Sequence, residues 1–282
     1  MEEREAEHNR RVRKHIVEDG VYIPDMGYKY PEFSDESMYN PVKDRSVDIE
    51  HNYPFLDKSF KARLLRFGIY LGIFVLMFIA ERVKYGLKIK GRKNLFKYRK
   101  LFKNGAMTIG NHVHKMDFVF YLQALRYRRL WYPAKAANLE SKDHNYIRGT
   151  GGIPIPTTFA ATKAFNQAFD ELHRKKQWIH VYPESCQWPY YQAIRPFNLG
   201  AFKMAYRYDL PVIPMVITYR KPGKLRLMLG LKNPCFTVTV GEPLLLNKNE
   251  GWTKRQICED LRKRTHESMV QMAGIVQNCW DC

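Results

Sequence analysis

Short apolar runs alternate with amphipathic stretches from about residue 106 onward. Each run is bounded by turn residues, as buried strands are, and we predict strands at 106–110, 130–134, 152–155, 178–182 and 212–218. Apolar residues three and four apart predict helices that begin near Met116 and that span 159–174, 199–208 and 254–272. Two further runs, 225–229 and 236–240, are predicted to pair as a hairpin. This alternation predicts an α/β sheet with helices on both faces and with ligands at the strand ends.

The most apolar stretch, 67–80, reads FGIYLGIFVLMFIA and carries no charge. A helix that spans a bilayer needs about 17–25 such residues, so this stretch is marginal on length. Ten of the 22 residues from 82 to 103 are Lys or Arg, and none is acidic. An apolar helix beside a basic belt is typical of anchoring in an anionic leaflet, where each cation contributes about 1 kcal/mol. There are three alternatives. The stretch could be a buried core helix followed by a solvated basic loop, a short membrane span, or a re-entrant hairpin.

Charge divides the chain of 282 residues unevenly. The first 60 residues carry 9 basic and 14 acidic side chains, whereas the remainder carries 38 basic and 14 acidic ones. Such a basic body favours a polyanionic partner, which is a nucleic acid, an anionic membrane or an acidic substrate. Hydrophobic residues make up 45% of the chain, which excludes the collagen-like, low-complexity and disordered classes.

Segment 1–59 is acidic, and its apolar residues show no sustained period, which predicts a poorly ordered or surface-wrapping extension. We divide the rest into a membrane-anchoring helix with its basic belt at 60–104, a catalytic core at 105–250, and a C-terminal helix and tail at 251–282. The five cysteines are an odd number, and no cleavable signal peptide opens the chain, so a reducing cytoplasmic setting is expected. Cys279 and Cys282 form a lone C-x-x-C, interpreted as two ordinary thiols.

The sequence GNHVHKMD, 110–117, lies where an apolar strand runs into a helix. Asp117 follows His112 by five residues, so its carboxylate can accept a hydrogen bond from one ring nitrogen and leave the other to act as a base. A cap or an ordinary loop contact is the structural alternative. His112, His114 and Asp117 could instead bind a metal, but a catalytic zinc site needs three protein ligands and a second shell, and no clear partner stands out.

A second candidate, VYPESCQ at 181–187, follows a predicted buried strand. Glu184 at the carboxyl end of that strand is well placed to contact a polar substrate, although Pro-Glu is also an ordinary strand stop. Cys186 is a weak nucleophile candidate, because nothing nearby would clearly favour its thiolate.

Together and in this order, these segments resemble the glycerolipid acyltransferases of the 1-acylglycerol-3-phosphate (lysophosphatidate) type. The family motif N-H-x-x-x-x-D is matched at 111–117, and G-x-I-x-I-x-R is similar to 151–157. The motif F-P-E-G-T-R is similar to 182–187, P-F-x-x-G-A-F is matched at 196–202, and a V-P-V-V-type strand is similar to 213–217. Lys135 also stands where family members usually carry a lysine. The resemblance covers roughly residues 61–245.

The resemblance implies a fold with a central mixed, largely parallel sheet flanked by helices and with an N-terminal membrane-anchoring helical element. It implies direct transfer of a fatty acyl group from acyl-CoA or acyl carrier protein to a lysophospholipid hydroxyl, with His112 as the base and Asp117 orienting it. It implies no metal and no resident cofactor. Expected partners are the acyl donor, the lysolipid acceptor and anionic lipids at the cytoplasmic membrane face, and not nucleic acid. Expected substrate contacts are Asn111, Lys135, Gly152, Ile153, Pro183, Glu184, Ser185 and Arg195.

Three positions depart from the family pattern. Thr157 and Gln187 stand where the family carries arginines that are expected to hold the acceptor phosphate. The acceptor is therefore expected to be less charged, or to be held by Lys135, Arg148 or Arg195. An acyltransferase for a non-phosphate lipid and a non-catalytic basic membrane-binding protein are the alternatives. Ser185 replaces a glycine, which predicts a different backbone turn.

Overall fold

The structure, a computed structural model, describes residues 15–38, 49, 53–139 and 144–280. Its strands are β1 Ile16–Val17, β2 Lys88–Lys90, β3 Met107–Gly110, β4 Leu130–Ala134, β5 Gly152–Pro154, β6 Trp178–Val181, β7 Val212–Arg220, β8 Cys235–Val240 and β9 Ile275–Gln277. Seven of them form a central sheet in the order β2-β8-β7-β3-β6-β4-β5. All neighbours in this sheet pair in parallel except β7 and β8. The prediction of a mixed, largely parallel sheet flanked by helices is confirmed.

The predicted hairpin of 225–229 with 236–240 is wrong. The first of these runs forms a short helix, Lys224–Met228, and β8 pairs instead with β7, from Met215↔Val240 to Arg220↔Cys235. A short apolar run has the same appearance in a strand and in a buried helix, so periodicity could not separate the two.

The described helices cover both faces of the sheet. They are α1 Phe60–Val83, α2 Lys93–Lys97, α3 Asp117–Ala124, α4 His144–Thr150, α5 Phe159–Arg174, α6 Gly200–Tyr208, α7 Lys224–Met228 and α8 Lys254–Met272. The predicted bounds of α5 and α8 are confirmed. Each begins after a threonine cap: the Thr158 hydroxyl accepts from Ala161 N, and Thr253 forms a capping box with Gln256.

Alternate residues of each strand point to opposite faces of the sheet and build two cores. Met107 and Ile109 of β3 contribute to the core beneath α5, α6 and α8. Ile213 and Met215 of β7 contribute to the core that contains α3 and one side of α1. All eight residues of α3 are buried, which explains why its sequence, DFVFYLQA, carries no broad polar face.

Helix α1 is 24 residues long, and by length and composition it could cross a membrane. Residues 73–77 form a π-helical segment within it. Only 17% of its apolar window is buried, so the buried-core alternative does not describe it. One stripe does pack on the protein, since Tyr70 OH donates to Thr150 O and accepts from Leu130 N.

Most of the described part of the acidic segment lies along the protein surface, whereas Ile49 and Phe55 are buried in the core beneath α5. Strand β1 pairs antiparallel with β9, and Tyr30 packs against Trp188 and Tyr191. The rest of the predicted extension, 1–14, 39–48 and 50–52, lies outside the described residues, as does Cys282 of the C-x-x-C sequence.

Candidate active site

His112 and Asp117 meet at the carboxyl end of β3, the strand between β7 and β6. The chain leaves the strand at Gly110 and enters α3 at Asp117, and this short loop brings His112 Nδ1 to 2.6 Å from Asp117 Oδ2. The imidazole is 25% exposed, whereas the carboxylate is 2% exposed. The contact expected from the five-residue spacing is therefore present in the structure.

Several donors hold the Asp117 carboxylate in place. Oδ2 also accepts from Val113 N at 3.2 Å, and Oδ1 accepts from Tyr182 OH at 2.8 Å. A carboxylate fixed in this way accepts Nδ1–H from the neutral imidazole and leaves the lone pair on Nε2. Within the described residues, no hydrogen bond reaches Nε2. The pair can therefore accept a proton from a bound hydroxyl group.

Tyr182 supports the histidine in a way that the sequence did not predict. Its ring stacks on the His112 ring with centroids 4.1 Å apart and an interplanar angle of 20°. Burial, followed by the nearby Asp117 charge, raises the pKa of Tyr182 well above its usual value, so the phenol stays protonated and donates. The one sequence feature that could have pointed to this role is the aromatic residue that opens the 182–187 motif.

Glu184 is buried and links the loop after β6 to the loop that carries His112. Its side chain is 1% exposed. Oε2 accepts from His112 N at 3.1 Å and from Arg195 Nη2 at 3.0 Å, while Oε1 accepts from Arg195 N. Trp188 N also donates to His112 O. The loop after β6 is thus hydrogen bonded to the loop that carries His112.

Arg195 is buried within the protein. Its guanidinium binds Glu184, the carbonyl oxygen of Cys186 and the carbonyl oxygen of Ser34, and it lies 4.4 Å from the centroid of the Trp188 ring. With 1% of its side chain exposed, Arg195 presents no surface to an acceptor. A role in holding the acceptor therefore receives no support from this geometry.

Arg148 and Lys135 differ in how free their side chains are to contact an acceptor. Arg148 donates to the carbonyl oxygens of Pro54 and Phe55. Lys135 is exposed, and its Nζ lies 3.4 Å from Cys186 Sγ, beside the loop after β6. Of the three cations considered for the acceptor, Lys135 is the one with an exposed side chain beside this loop.

Four other predicted substrate contacts are buried and contribute to the fold. Asn111 bonds both the N–H and the C=O of Ile217 and accepts from Tyr121 OH, so it links β3 to β7. Gly152 and Ile153 are buried in β5, and β6 and β4 lie between that strand and β3. Pro183 is buried, and its carbonyl oxygen accepts from Asn198 N.

The positions that depart from the family pattern lie in different places. Gln187 Nε2 is 3.5 Å from His112 Nδ1, whereas the Thr157 hydroxyl accepts from Ile49 N. Ser185 has φ 65°, in the left-handed region that favours glycine. The serine therefore adopts a backbone conformation that a glycine would also favour.

Ser185→Gly should be more stable to unfolding than Ser185→Ala by about 1 kcal/mol. Both changes remove the hydroxyl that accepts from Asn198 Nδ2, but only alanine keeps a Cβ in the left-handed region. Chemical denaturation in one detergent measures the difference. Equal stability would mean that the turn rearranges when the hydroxyl is lost.

The His114 ring lies in an aromatic cluster, although the His114 backbone N–H is 3.5 Å from Asp117 Oδ2. Its ring contacts those of Phe120 and Phe236, and its Nδ1 accepts from Met116 N. Burial lowers the pKa of His114 to about 4, so the ring is neutral at pH 7. Within the described residues, no group of three or more His, Cys, Asp or Glu side chains could hold a metal ion.

Comparison with known proteins identifies the class. Residues 86–218, which contain β2 to most of β7 and the His112–Asp117 pair, match the family model described as Acyltransferase. This part of the chain is an acyltransferase domain, which confirms the acyltransferase resemblance of the motifs. The protein is therefore an acyltransferase enzyme, and the non-catalytic alternative is set aside.

One solved structure similar to this chain is the crystal structure of the 1-acyl-sn-glycerophosphate (LPA) acyltransferase PlsC from Thermotoga maritima. The two share 17% sequence identity, with a TM-score of 0.49, over 77% of this chain and 84% of that one. No curated protein sequence matches the chain.

Proposed function

We propose that this enzyme moves a fatty acyl group from the thioester of acyl-CoA or acyl carrier protein to a hydroxyl of a lysophospholipid in phospholipid synthesis. The observation that carries this proposal is the hydrogen-bonded pair His112–Asp117 at the carboxyl end of β3 in an acyltransferase domain. The excess of 38 basic over 14 acidic residues beyond residue 60 supports it, because both donors are anionic.

In this mechanism the acceptor oxygen attacks the thioester carbonyl while His112 Nε2 takes the hydroxyl proton. Asp117 holds Nδ1–H and stabilises the imidazolium that forms. When the tetrahedral intermediate collapses, the C–S bond breaks, and Nε2–H returns the proton to the departing thiolate. The products are an ester and a free thiol, with no acyl-enzyme and no cofactor beyond the donor thioester.

The acceptor is proposed to carry less charge than a phosphomonoester, or to be held by Lys135. Gln187 stands beside His112 where the resemblance places an arginine, and a glutamine cannot pair with phosphate as a forked cation does. Arg195 and Arg148 bind protein oxygen atoms instead. A lipid acceptor without phosphate is the second candidate, and the presence of Gln187 in place of an arginine favours it as well.

A panel assay tests both the reaction and the acceptor. Labelled acyl-CoA and acyl carrier protein are offered with lysophosphatidate, lysophosphatidylglycerol, lysophosphatidylcholine and monoacylglycerol. No transfer to any of these acceptors would overturn the proposal.

Gln187→Arg should raise the preference for lysophosphatidate, in kcat/KM, by about 10–100-fold, because a charged hydrogen bond is worth about 1.5–3 kcal/mol. Gln167→Arg, an exposed change on α5, adds the same charge as a control and should change nothing. An unchanged preference in Gln187→Arg would mean that the acceptor headgroup lies away from this position.

Helix α1 is proposed to anchor the enzyme at the cytoplasmic face of the membrane. Its large apolar side chains are exposed, including Phe67 at 66%, Leu76 at 66% and Ile79 at 64%. The protein should sediment with membranes, should be only partly released by 1 M salt, and should be released by detergent, since salt screens charge but does not weaken apolar burial. Complete release by salt would mean that charge alone holds the enzyme to the membrane.

A further inference from the structure

A cavity of about 400 Å³ lies at the amino edge of the sheet, between α2, the turn after α3 and the start of β6. Its aromatic lining includes Phe96, Phe102 and Trp178. His112 follows the opposite, carboxyl end of β3, about 13 Å away along strands of four residues. The cavity is therefore separate from the candidate active site.

The cavity is lined by five cationic side chains and by no acidic one, the cations being Arg92, Lys93, Arg99, Arg126 and Arg128. None of these five forms an ion pair with a described carboxylate, whereas the neighbouring Lys97 pairs with Glu242. Burial first, and then the charges of Arg126 and Arg82, lower the pKa of Arg92. The hydrogen bond from Lys97 and, after it, the nearby charge of Lys93 lower the pKa of the Glu242 carboxyl, but the four arginines are not paired with a described carboxylate. Like charges held together in this way repel one another, and a bound anion would relieve that repulsion.

The backbone at one of these cations and at the next residue is strained. Arg126 and Tyr127 both have φ 56°, a conformation that costs a residue with a side chain about 1–2 kcal/mol. Hydrogen bonds from Tyr127 N to Leu122 O and from Arg128 N to Leu125 O hold the turn. Consecutive strained residues of this kind are typical of segments that clamp a ligand.

The surroundings of the cavity indicate an amphiphilic anion. Phe74 of α1 packs edge-on against Tyr127 with ring centroids 5.1 Å apart, so the apolar helix lies beside the turn. Phe96 is 71% exposed, and it lines the cavity together with the cations. A phosphate group would bind the cations of the lining. The glycerol backbone and first acyl carbons of the same molecule would pack on the aromatic rings.

We infer that this cavity binds the phosphate headgroup of an anionic phospholipid from the bilayer, at a site that is not catalytic. The inference rests on the proposed membrane association of α1. A bound lipid would fix the enzyme at one depth and one orientation on the bilayer, which neither an apolar helix nor a diffuse basic surface does alone.

Calorimetric titration of the full chain in neutral detergent with dioctanoyl phosphatidylglycerol tests this inference. The triple variant Lys93→Gln/Arg126→Gln/Arg128→Gln should bind the lipid at least tenfold more weakly than the natural protein. The matched control, Lys163→Gln/Arg174→Gln/Lys203→Gln, loses the same charge from exposed positions on α5 and α6 and should bind normally. Dioctanoyl phosphatidylcholine should bind the natural protein at least tenfold more weakly than the anionic lipid.

Unchanged binding in the cavity variant, or equal weakening in the control, would overturn the inference. So would competition by inorganic phosphate or coenzyme A at the concentrations at which the lipid binds, since the occupant would then be a soluble anion. Acyl transfer to a detergent-dispersed acceptor should be equal in both triple variants. Lipid binding without any transfer activity would overturn the proposed reaction and leave the lipid site supported.

Discussion

His112→Ala is expected to lower the turnover number of acyl transfer by about 10²–10⁴-fold, as the loss of a general base does, while the fold is kept. The side chain is partly exposed and its ring stacks on Tyr182 at the edge of the site, so circular dichroism and thermal unfolding should change little. Single-turnover and steady-state rates with labelled acyl-CoA measure the effect. Asp117→Asn should also be slow, because an amide does not stabilise the imidazolium or fix the same tautomer.

Lys115→Ala provides the control, since Lys115 is an exposed neighbour in the same loop and should keep nearly full activity. If His112→Ala kept the activity of the natural protein, the base would have to be another group. An acyl group trapped covalently on the enzyme would contradict direct transfer in favour of a two-step reaction.

Arg195→Ala is expected to lower the free energy of unfolding by about 3–5 kcal/mol, since it leaves the Glu184 carboxylate buried without its cation. At about 2–4 °C per kcal/mol for a chain of this size, the loss should be evident in a thermal melt. Arg207→Ala is the matched control, because it removes an exposed pair with Asp170 that is worth about 0–1 kcal/mol. Arg195→Lys keeps the charge and provides a variant that folds if the alanine variant does not.

The same variants separate two roles for Arg195. If Arg195 is a buried support for the His112 loop, Arg195→Lys should have reduced stability and a lower kcat, with little change in the KM for the acceptor. A raised KM at normal stability would instead mean that Arg195 holds the acceptor in place of the two missing family arginines. In that case the guanidinium would have to leave Glu184 when substrate binds.

The sequence by itself determined the elements whose signals are local. Helices α5 and α8 have the predicted bounds, because apolar spacing and a threonine cap are both properties of neighbouring residues. The His112–Asp117 contact was predictable for the same reason, since a strand, a short loop and a helix start place residues i and i+5 together. The family resemblance then indicated what such a pair does.

Only the tertiary structure decided which distant segments meet. Arg195 binds Ser34, 161 residues earlier in the chain, and Tyr182 contacts Asp117 from the loop that follows β6. Strand β8 joined β7 rather than the run 225–229, and cations from two separate segments came to line one cavity. The spacing of apolar residues indicates which face of a helix or strand is buried. It does not indicate the partner, because the free energy of burying an apolar face is much the same whichever apolar partner covers it. Partners far apart in sequence are therefore fixed by packing of the whole chain, which no local pattern records.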